Sequence, residues 1–212
     1  MIPPEIERYA EEHTSPESPV LYNLNRETHL SQVYPRMLSG HLQGAFLQMI
    51  SRMIKPLRIL EIGTFTGYSC INLAMGLPLN GIIHTIEVNP ELEEIISRYV
   101  RKAGLSEKVI LHIGQAMELI PTLDEKWDLV FLDADKPNYL RYYLEIFDKL
   151  NPGGFFLADN ALWDGKVLKD NSKMDKDTIG ITEFNDFIQK DDRVEQLLLP
   201  VRDGIMIVRK LS

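Results

Sequence analysis

Cysteine is almost missing from this 212-residue chain, Cys70 being the only one. That excludes a disulfide framework and any zinc cluster built from cysteine. No apolar run approaches the roughly 20 residues that a bilayer-spanning helix needs. The opening MIPPEIERYAEEH carries charges where a secretion signal needs an apolar stretch, so a cytoplasmic protein is expected rather than a membrane or secreted one. A dense Lys/Arg block is absent too. With 23 basic and 31 acidic side chains the net charge is −8, which argues against binding nucleic acid through backbone charge. The histidines, His13, His29, His41, His84 and His112, include no H-x-x-x-H pair to share one helix face. No repeat and no low-complexity tract is found. What remains is an ordinary globular composition, 44% hydrophobic and 25% charged, at a length that suits one domain over 1–212.

From Arg58 onward short apolar runs alternate with longer helical stretches. The runs are RILEI (58–62), GIIHTIE (81–87), KVILHI (108–113), DLVFLD (128–133) and GFFLAD (154–159). Each has the length of a strand buried on both faces and is bounded by Gly, Pro, Asn or Asp. NPELEEIISRYVRKAG reads as a helix with Asn89 as N-cap, Pro90 in the first turn, acids at its start, bases at its end and Gly104 at the stop. NYLRYYLEIFDKL is a second helix, ended by Asn151-Pro152-Gly153-Gly154. This rhythm predicts an α/β fold, a doubly wound and mostly parallel sheet with helices on both faces. The tail departs from it. RVEQLLLPV and GIMIVRKL are separated by only Arg202-Asp203-Gly204, too short for a crossover, so they pair as an antiparallel hairpin and bring the sheet to seven strands. Before Arg58, HLQGAFLQMISRMI places Leu42, Phe46, Met49, Ile50 and Met53 on one face, expected to cover the sheet. Residues 1–38, with Pro16, Pro19 and Pro35, read as short helices and loops over the site rather than a second domain.

Ligands of open α/β sheets bind at the carboxyl ends of the strands. The first strand ends in Glu61-Ile62-Gly63-Thr64-Phe65-Thr66-Gly67-Tyr68-Ser69, a glycine turn into a helix start. Its spacing is G-x-x-x-G, without the middle glycine of a pyrophosphate fingerprint. Glu87 ends the second strand as an acceptor for ribose hydroxyls, which favours a nucleoside over a dinucleotide. The fourth strand ends in Asp133-Ala134-Asp135-Lys136, and the fifth in Asp159-Asn160 followed by Ala161-Leu162-Trp163-Asp164-Gly165. Neighbouring strands would gather Asp133, Asp159 and Asn160, an all-oxygen set suited to Mg²⁺, Mn²⁺ or Ca²⁺. Beside it, a bound cation and loss of solvent would both favour the neutral amine of Lys136, the form that acts as a base. Cys70 reads as a core residue, Ser69 as a hydrogen-bonding group at a helix start, and Lys166–Lys176 as a solvated flap. Trp163 is either a stacking platform for an aromatic substrate or a plug beneath its loop.

ILEIGTFTGYS, IHTIEVNPE, LVFLDADKPNY and LADNALWDGKV together resemble the cation-dependent O-methyltransferases, the group of catechol and caffeoyl-CoA O-methyltransferases and their bacterial relatives. The similarity runs from about Arg36 to Lys210, and its most specific parts are D-A-D-K-x-N-Y and D-N-x-L-W-x-G-x-V. It implies a Rossmann-like fold and S-adenosylmethionine held by Ser39, Glu61, Gly63, Thr64, Ser69, Glu87, Ala116 and Asp135. It implies a divalent cation, Mg²⁺ first, on Asp133, Asp159 and Asn160. Lys136 matches the general base, with Asp133 as its catalytic neighbour, and Asp164 matches the position that faces the acceptor in the plant branch. His41 falls in SGHLQG, a segment that the family places near the cofactor's methionine end. Where many relatives read Gly-Asp-Ala, this chain has Gly114-Gln115-Ala116, whose amide can still meet an adenine edge. The amino-terminal arm is shorter than in the plant enzymes, where it grips coenzyme A. The expected function is methylation of a hydroxyl on a small, catechol-like aromatic by a homodimer. The other readings are methylation of hydroxylated uridine in tRNA and a non-catalytic cofactor-binding protein on the same fold.

Overall fold

Residues 3–170 and 173–212 are described by the computed structural model, and they divide by internal contacts into two units, 3–116 and 117–212. Asn171 and Ser172, within the expected flap Lys166–Lys176, lie outside the described residues.

The first unit opens with α1 (Pro4–Glu12), α2 (Pro19–Ser31) and a 3₁₀ turn, Pro35–Met37. Then come α3 (Gly40–Ile54), β1 (Arg58–Ile62), α4 (Tyr68–Gly76), β2 (Ile82–Glu87), α5 (Glu93–Lys102) and β3 (Val109–Ile113). The signals read for the Asn89–Gly104 helix are present, with a 3₁₀ turn at Pro90–Leu92 leading into α5, and α2 has a cap that was not read from the sequence. Pro19 opens α2 behind the Ser18 cap, Asn89 Oδ1 accepts the Glu91 N–H at 3.0 Å, and Gly104 takes φ +70° just past α5. β2 pairs in parallel with β1 on one side and β3 on the other.

The buried face of α3 differs from the one expected. Gln43, Gly44, Leu47 and Ser51 are buried, whereas Met49 is 55% and Met53 71% exposed, and Leu42, Phe46 and Ile50 are half-buried. The partner of this helix is α4, and the two approach closely. A Cβ on Gly44 would lie 2.6 Å from Asn72 Nδ2, and Ser51 Oγ donates to Leu73 O at 2.8 Å. Close approach selects small and polar side chains, so Leu42, Phe46 and Ile50 are only half-covered and Met49 and Met53 face outward.

The second unit holds α6 (Ala116–Leu119, beginning at the junction), β4 (Trp127–Leu132), a 3₁₀ turn at Lys136–Asn138, and α7 (Tyr139–Phe147). It continues with β5 (Leu150–Ala158), a 3₁₀ segment at Trp163–Leu168, α8 (Lys176–Lys190), β6 (Val194–Leu199) and β7 (Ile205–Lys210). β5 starts at Leu150 rather than Gly154, because Asn151-Pro152-Gly153-Gly154 bulges out of register between the pairs Trp127–Leu150 and Leu129–Phe155. β7 pairs antiparallel with β5 and β6, the hairpin expected. Its turn runs over 200–204, longer than expected, since Pro200 has no N–H to extend the ladder. Tyr143 of α7 packs edge-on against Phe156 of β5 and Phe184 of α8, and those two rings are tilted against each other.

The strand order is β3-β2-β1-β4-β5-β7-β6. It steps outward from β1 in one direction and from β4 in the other, the doubly wound pattern in which right-handed crossovers put helices on both faces. Among the described residues no helix is long and apolar enough to cross a membrane.

Candidate active site

Two groups of the expected residues form, one in each unit. In the first unit the chain leaves β1 through the glycine turn. Gly63 and Gly67 both take φ +95°, with Phe65 at +51° between them, a path that L side chains rarely follow. Gly63 and Thr64 both donate their N–H to Ile86 O, at 3.0 and 3.3 Å, which fixes the turn against β2. Glu87, at the end of β2, closes the turn from the other side. Its Oε2 accepts the Phe65 N–H at 2.7 Å and its Oε1 the Asn89 N–H at 2.9 Å. Burial raises the pKa of this carboxyl, and those backbone donors pull the other way. The Val88 and Thr64 N–H groups act on it as well, so the carboxylate ends β2 among four backbone donors.

Behind the turn, Thr85 Oγ1 donates to Glu61 Oε2 at 2.5 Å and lies 2.5 Å from Thr64 Oγ1. A hydroxyl has one proton, so Thr64 must donate to Thr85, and the three form a directed chain into buried Glu61. Ser39, Ser69 and Ala116 are also buried, at the starts of α3, α4 and α6. Gln115 is exposed. Cys70 is core, as expected; burial and the charge of Glu61 push its thiol up and leave it unreactive. His41 Nε2 meets Ser15 O at 2.8 Å, an attachment to the amino-terminal loop.

Sequence reasoning missed what holds this turn from outside. Thr28 of α2 donates to Thr66 Oγ1 at 3.0 Å in a buried contact. Arg98 of α5 grips Glu27 with two bonds, 2.6 and 3.0 Å, and Tyr99 OH donates to the same carboxylate at 2.8 Å. Tyr68 OH donates to Glu17. His84 and His112, far apart in sequence, meet across β2 and β3 with Nδ1 to Nε2 at 3.0 Å. Burial lowers the pKa of His112. Spacing alone could not have paired these residues.

In the second unit, Leu132 pairs with Ala158, so Asp133 and Asp159 follow at neighbouring strand ends, and Asp159 N extends the ladder to Leu132 O at 2.9 Å. Asn160 comes next at φ +59°, its N–H bound to Asp159 Oδ1 at 2.8 Å. Lys136 is buried, and its Nζ donates to Asp133 Oδ1 at 2.9 Å and to Tyr139 OH at 2.7 Å. Tyr139 gives its own proton to Asp159 O at 3.2 Å, so one tyrosine ties the lysine to both strand ends. α8 reaches this turn because Gly180 has no side chain: a Cβ there would lie 2.5 Å from Lys136 O. The Lys136 ammonium also sits 5.7 Å from the Trp163 ring centroid, with Lys166 at 5.0 Å. Trp163 and Asp164 both take left-handed backbone, and Asp164 is exposed. Asp135 is exposed and tied to α7 by Tyr142 OH at 2.6 Å and to Asn138 Nδ2 at 2.5 Å.

Among the described residues no three His, Cys, Asp or Glu side chains gather as a metal centre, so a cation here depends on the Asn160 amide as third donor. The donor chemistry fits a hard divalent cation. Asp133 keeps one oxygen, and Asn160 its Oδ1, with no hydrogen bond among the described residues, beside Asp159.

Solved structures of the same fold place the chain. The O-methyltransferase TomG from Streptomyces achromogenes, involved in tomaymycin synthesis and in complex with SAM, superposes with a TM-score of 0.92 over 100% of both chains at 28% identity. The O-methyltransferase from Bacillus cereus in complex with SAH gives 0.90 over 97% of each chain at 27% identity. Fold and strand-end groups thus define a Rossmann-like methyltransferase. The profile of a family described as O-methyltransferase matches residues 11–211, and caffeoyl-CoA O-methyltransferase 2 of Eucalyptus globulus is 35% identical over 200 residues, 88% of this chain and 80% of that protein. The chain belongs to the O-methyltransferase family.

Proposed function

We propose that the protein methylates a hydroxyl of a small, catechol-like aromatic, with S-adenosylmethionine as donor and a divalent cation, Mg²⁺ first and Mn²⁺ or Ca²⁺ as alternatives, on Asp133, Asp159 and Asn160. The observation that carries this reading is the buried Lys136 ammonium 2.9 Å from Asp133 at the paired ends of β4 and β5. A residue set built only to cap helices has no use for a buried lysine there.

When bound, S-adenosylmethionine supplies an activated methyl group and the cation acidifies the acceptor hydroxyl. Glu87, at the end of β2, holds the ribose hydroxyls. Glu61, Thr64 and Ser69 line the glycine turn, with Gly63 giving backbone access; Ser39, Ala116 and Asp135 complete the cofactor set. Lys136 takes or stabilises the acceptor proton at Nζ, whose third donor position has no partner among the described residues. Tyr139, which must accept from Nζ because its own proton goes to Asp159 O, keeps that nitrogen in place. Trp163 and Asp164 face the acceptor. Positioning and electrostatics supply most of the rate gain.

The proposed setting is the cytoplasm, and the proposed assembly a homodimer through the outward apolar face of α3. The test is methyl transfer from labelled cofactor to catechols, caffeoyl esters, coenzyme A thioesters and undermodified tRNA, with chelator and with Mg²⁺ or Mn²⁺ restored. Catechol methylation that stops in chelator and returns with metal is expected. Full activity in chelator would reduce the carboxylates to structural caps, and transfer to tRNA alone would overturn the acceptor.

A further inference from the structure

We infer that Asp203, in the turn between β6 and β7, sets which way the Asn160 amide faces, so that its oxygen and not its nitrogen meets the divalent cation. The inference rests on the metal reading above and adds to it a residue outside the ligand set.

A carboxamide has two ends of nearly the same shape, and only the oxygen can ligate a hard cation. A wrongly turned Asn160 would present N–H groups to the metal. Asn160 Nδ2 donates to Asp203 Oδ2 at 3.4 Å. A carboxylate only accepts, so it draws the nitrogen end toward itself; the reverse orientation would set two acceptor oxygens against each other. With the nitrogen held there, Oδ1 points away from Asp203 and carries no hydrogen bond among the described residues. At 3.4 Å the contact is long, and its effect lies in choosing an orientation rather than in strength.

Asp203 is itself fixed against the loop it orients. Its Oδ1 accepts the Asp164 N–H at 2.5 Å and its main-chain oxygen the Leu162 N–H at 2.9 Å. The next residue, Gly204, accepts the Ala161 N–H at 2.9 Å. The approach needs glycine, since a Cβ on Gly204 would lie 2.5 Å from Leu162 Cγ and its φ is +84°. The loop so held is strained: Asn160, Trp163 and Asp164 all take positive φ. Backbone bonds from the hairpin turn hold the loop, and the Asp203 carboxylate orients the amide within it. Groups that orient metal ligands typically contribute about 10–100-fold to affinity.

The experiment is a double-substitution cycle read by Mn²⁺ binding, with free Mn²⁺ measured by electron paramagnetic resonance on the full chain, and with circular dichroism to check folding. Asp203→Asn keeps an oxygen for the Asp164 N–H but turns an amide nitrogen toward Asn160, which favours the wrong orientation. It should weaken Mn²⁺ binding by about 10–100-fold. In the Asn160→Asp background the same change should cost almost nothing, because a carboxylate has no wrong end and can accept from the introduced amide. A purely structural role for Asp203 would weaken both backgrounds alike, and that result overturns the inference. So does Asp203→Asn binding Mn²⁺ as wild type does. If Asp203→Asn alone fails to fold, the double variant, which keeps both hydrogen bonds, decides: affinity matching Asn160→Asp supports the inference, and a loss overturns it. Wild type that takes up no Mn²⁺ overturns the metal reading, and this inference with it.

Discussion

Lys136 spends two of its three donors on Asp133 and Tyr139, within a turn that Gly180 allows α8 to press upon. This is a nitrogen held for a purpose, and its removal should show in turnover. Lys136→Met should lower kcat by about 10²–10⁴-fold, the usual worth of general base catalysis, with cofactor affinity unchanged. The loss should shrink at high pH, where the acceptor ionises without help. A lysine that only positions substrate would instead raise KM and hurt about equally at every pH. Turnover within about threefold of wild type at neutral pH, far below a base's contribution, would remove Lys136 from the chemistry. The lysine was legible in D-A-D-K because motif and strand end coincide. Tyr139 stood in the same motif, yet its two bonds depend on a turn of backbone that no spacing reveals.

At the scale of elements, α2 is the piece that the sequence described least. It read as loops and short helices, while the structure gives it two attachments beside the glycine turn, Thr28 to Thr66 and Glu27 to Arg98 and Tyr99. Thr28→Val should raise KM for S-adenosylmethionine severalfold, with kcat little changed, as expected for about 1 kcal/mol of lost hydrogen bonding; Thr28→Ser should restore it. Unaltered KM in the valine variant would mean that the turn holds itself. The second attachment gives a pH dependence. The Arg98 bonds, then that of Tyr99, bring the Glu27 carboxyl down from 4.5 to about 2. Because the folded value is the lower one, the stabilisation is complete above pH 4.5 and is lost as pH falls through about 2. Both side chains are part-exposed, so solvent screens the pair and its worth is about 1 kcal/mol or less. The protection of the α2 amides, measured by hydrogen exchange and corrected for the intrinsic rate at each pH, should therefore fall between pH 5 and 3 in wild type and fall less in Glu27→Gln, which has already lost the charge. Strands were easier to read than such contacts, since burial on both faces leaves continuous apolar runs in the sequence. The bulge at Asn151–Gly154 and the five-residue hairpin turn came from proline and glycine acting on the ladder, one step beyond hydrophobic pattern.

For the molecule as a whole, the instructive misreading is α3, where periodicity found a true apolar stripe and assigned it to the wrong side. Gly44 and Ser51 do the packing on α4, Leu42, Phe46 and Ile50 are half-buried, and Met49 and Met53 are left at the surface. Residues four apart on a helix share a face, so Met49 and Met53, 55% and 71% exposed, form a continuous apolar strip. Exposed strips of this kind mark association surfaces, and a second copy related by a two-fold axis is the commonest occupant. Wild type should therefore run in light scattering at twice the 24.4 kDa chain mass. Met49→Glu together with Met53→Glu would set like charges against each other across such an axis, on chains that already carry −8 each. That variant should run at 24.4 kDa while keeping its affinity for S-adenosylmethionine, because neither methionine is among the cofactor set. Wild type at the single-chain mass, or a double variant that still pairs, would show that the strip serves some other contact.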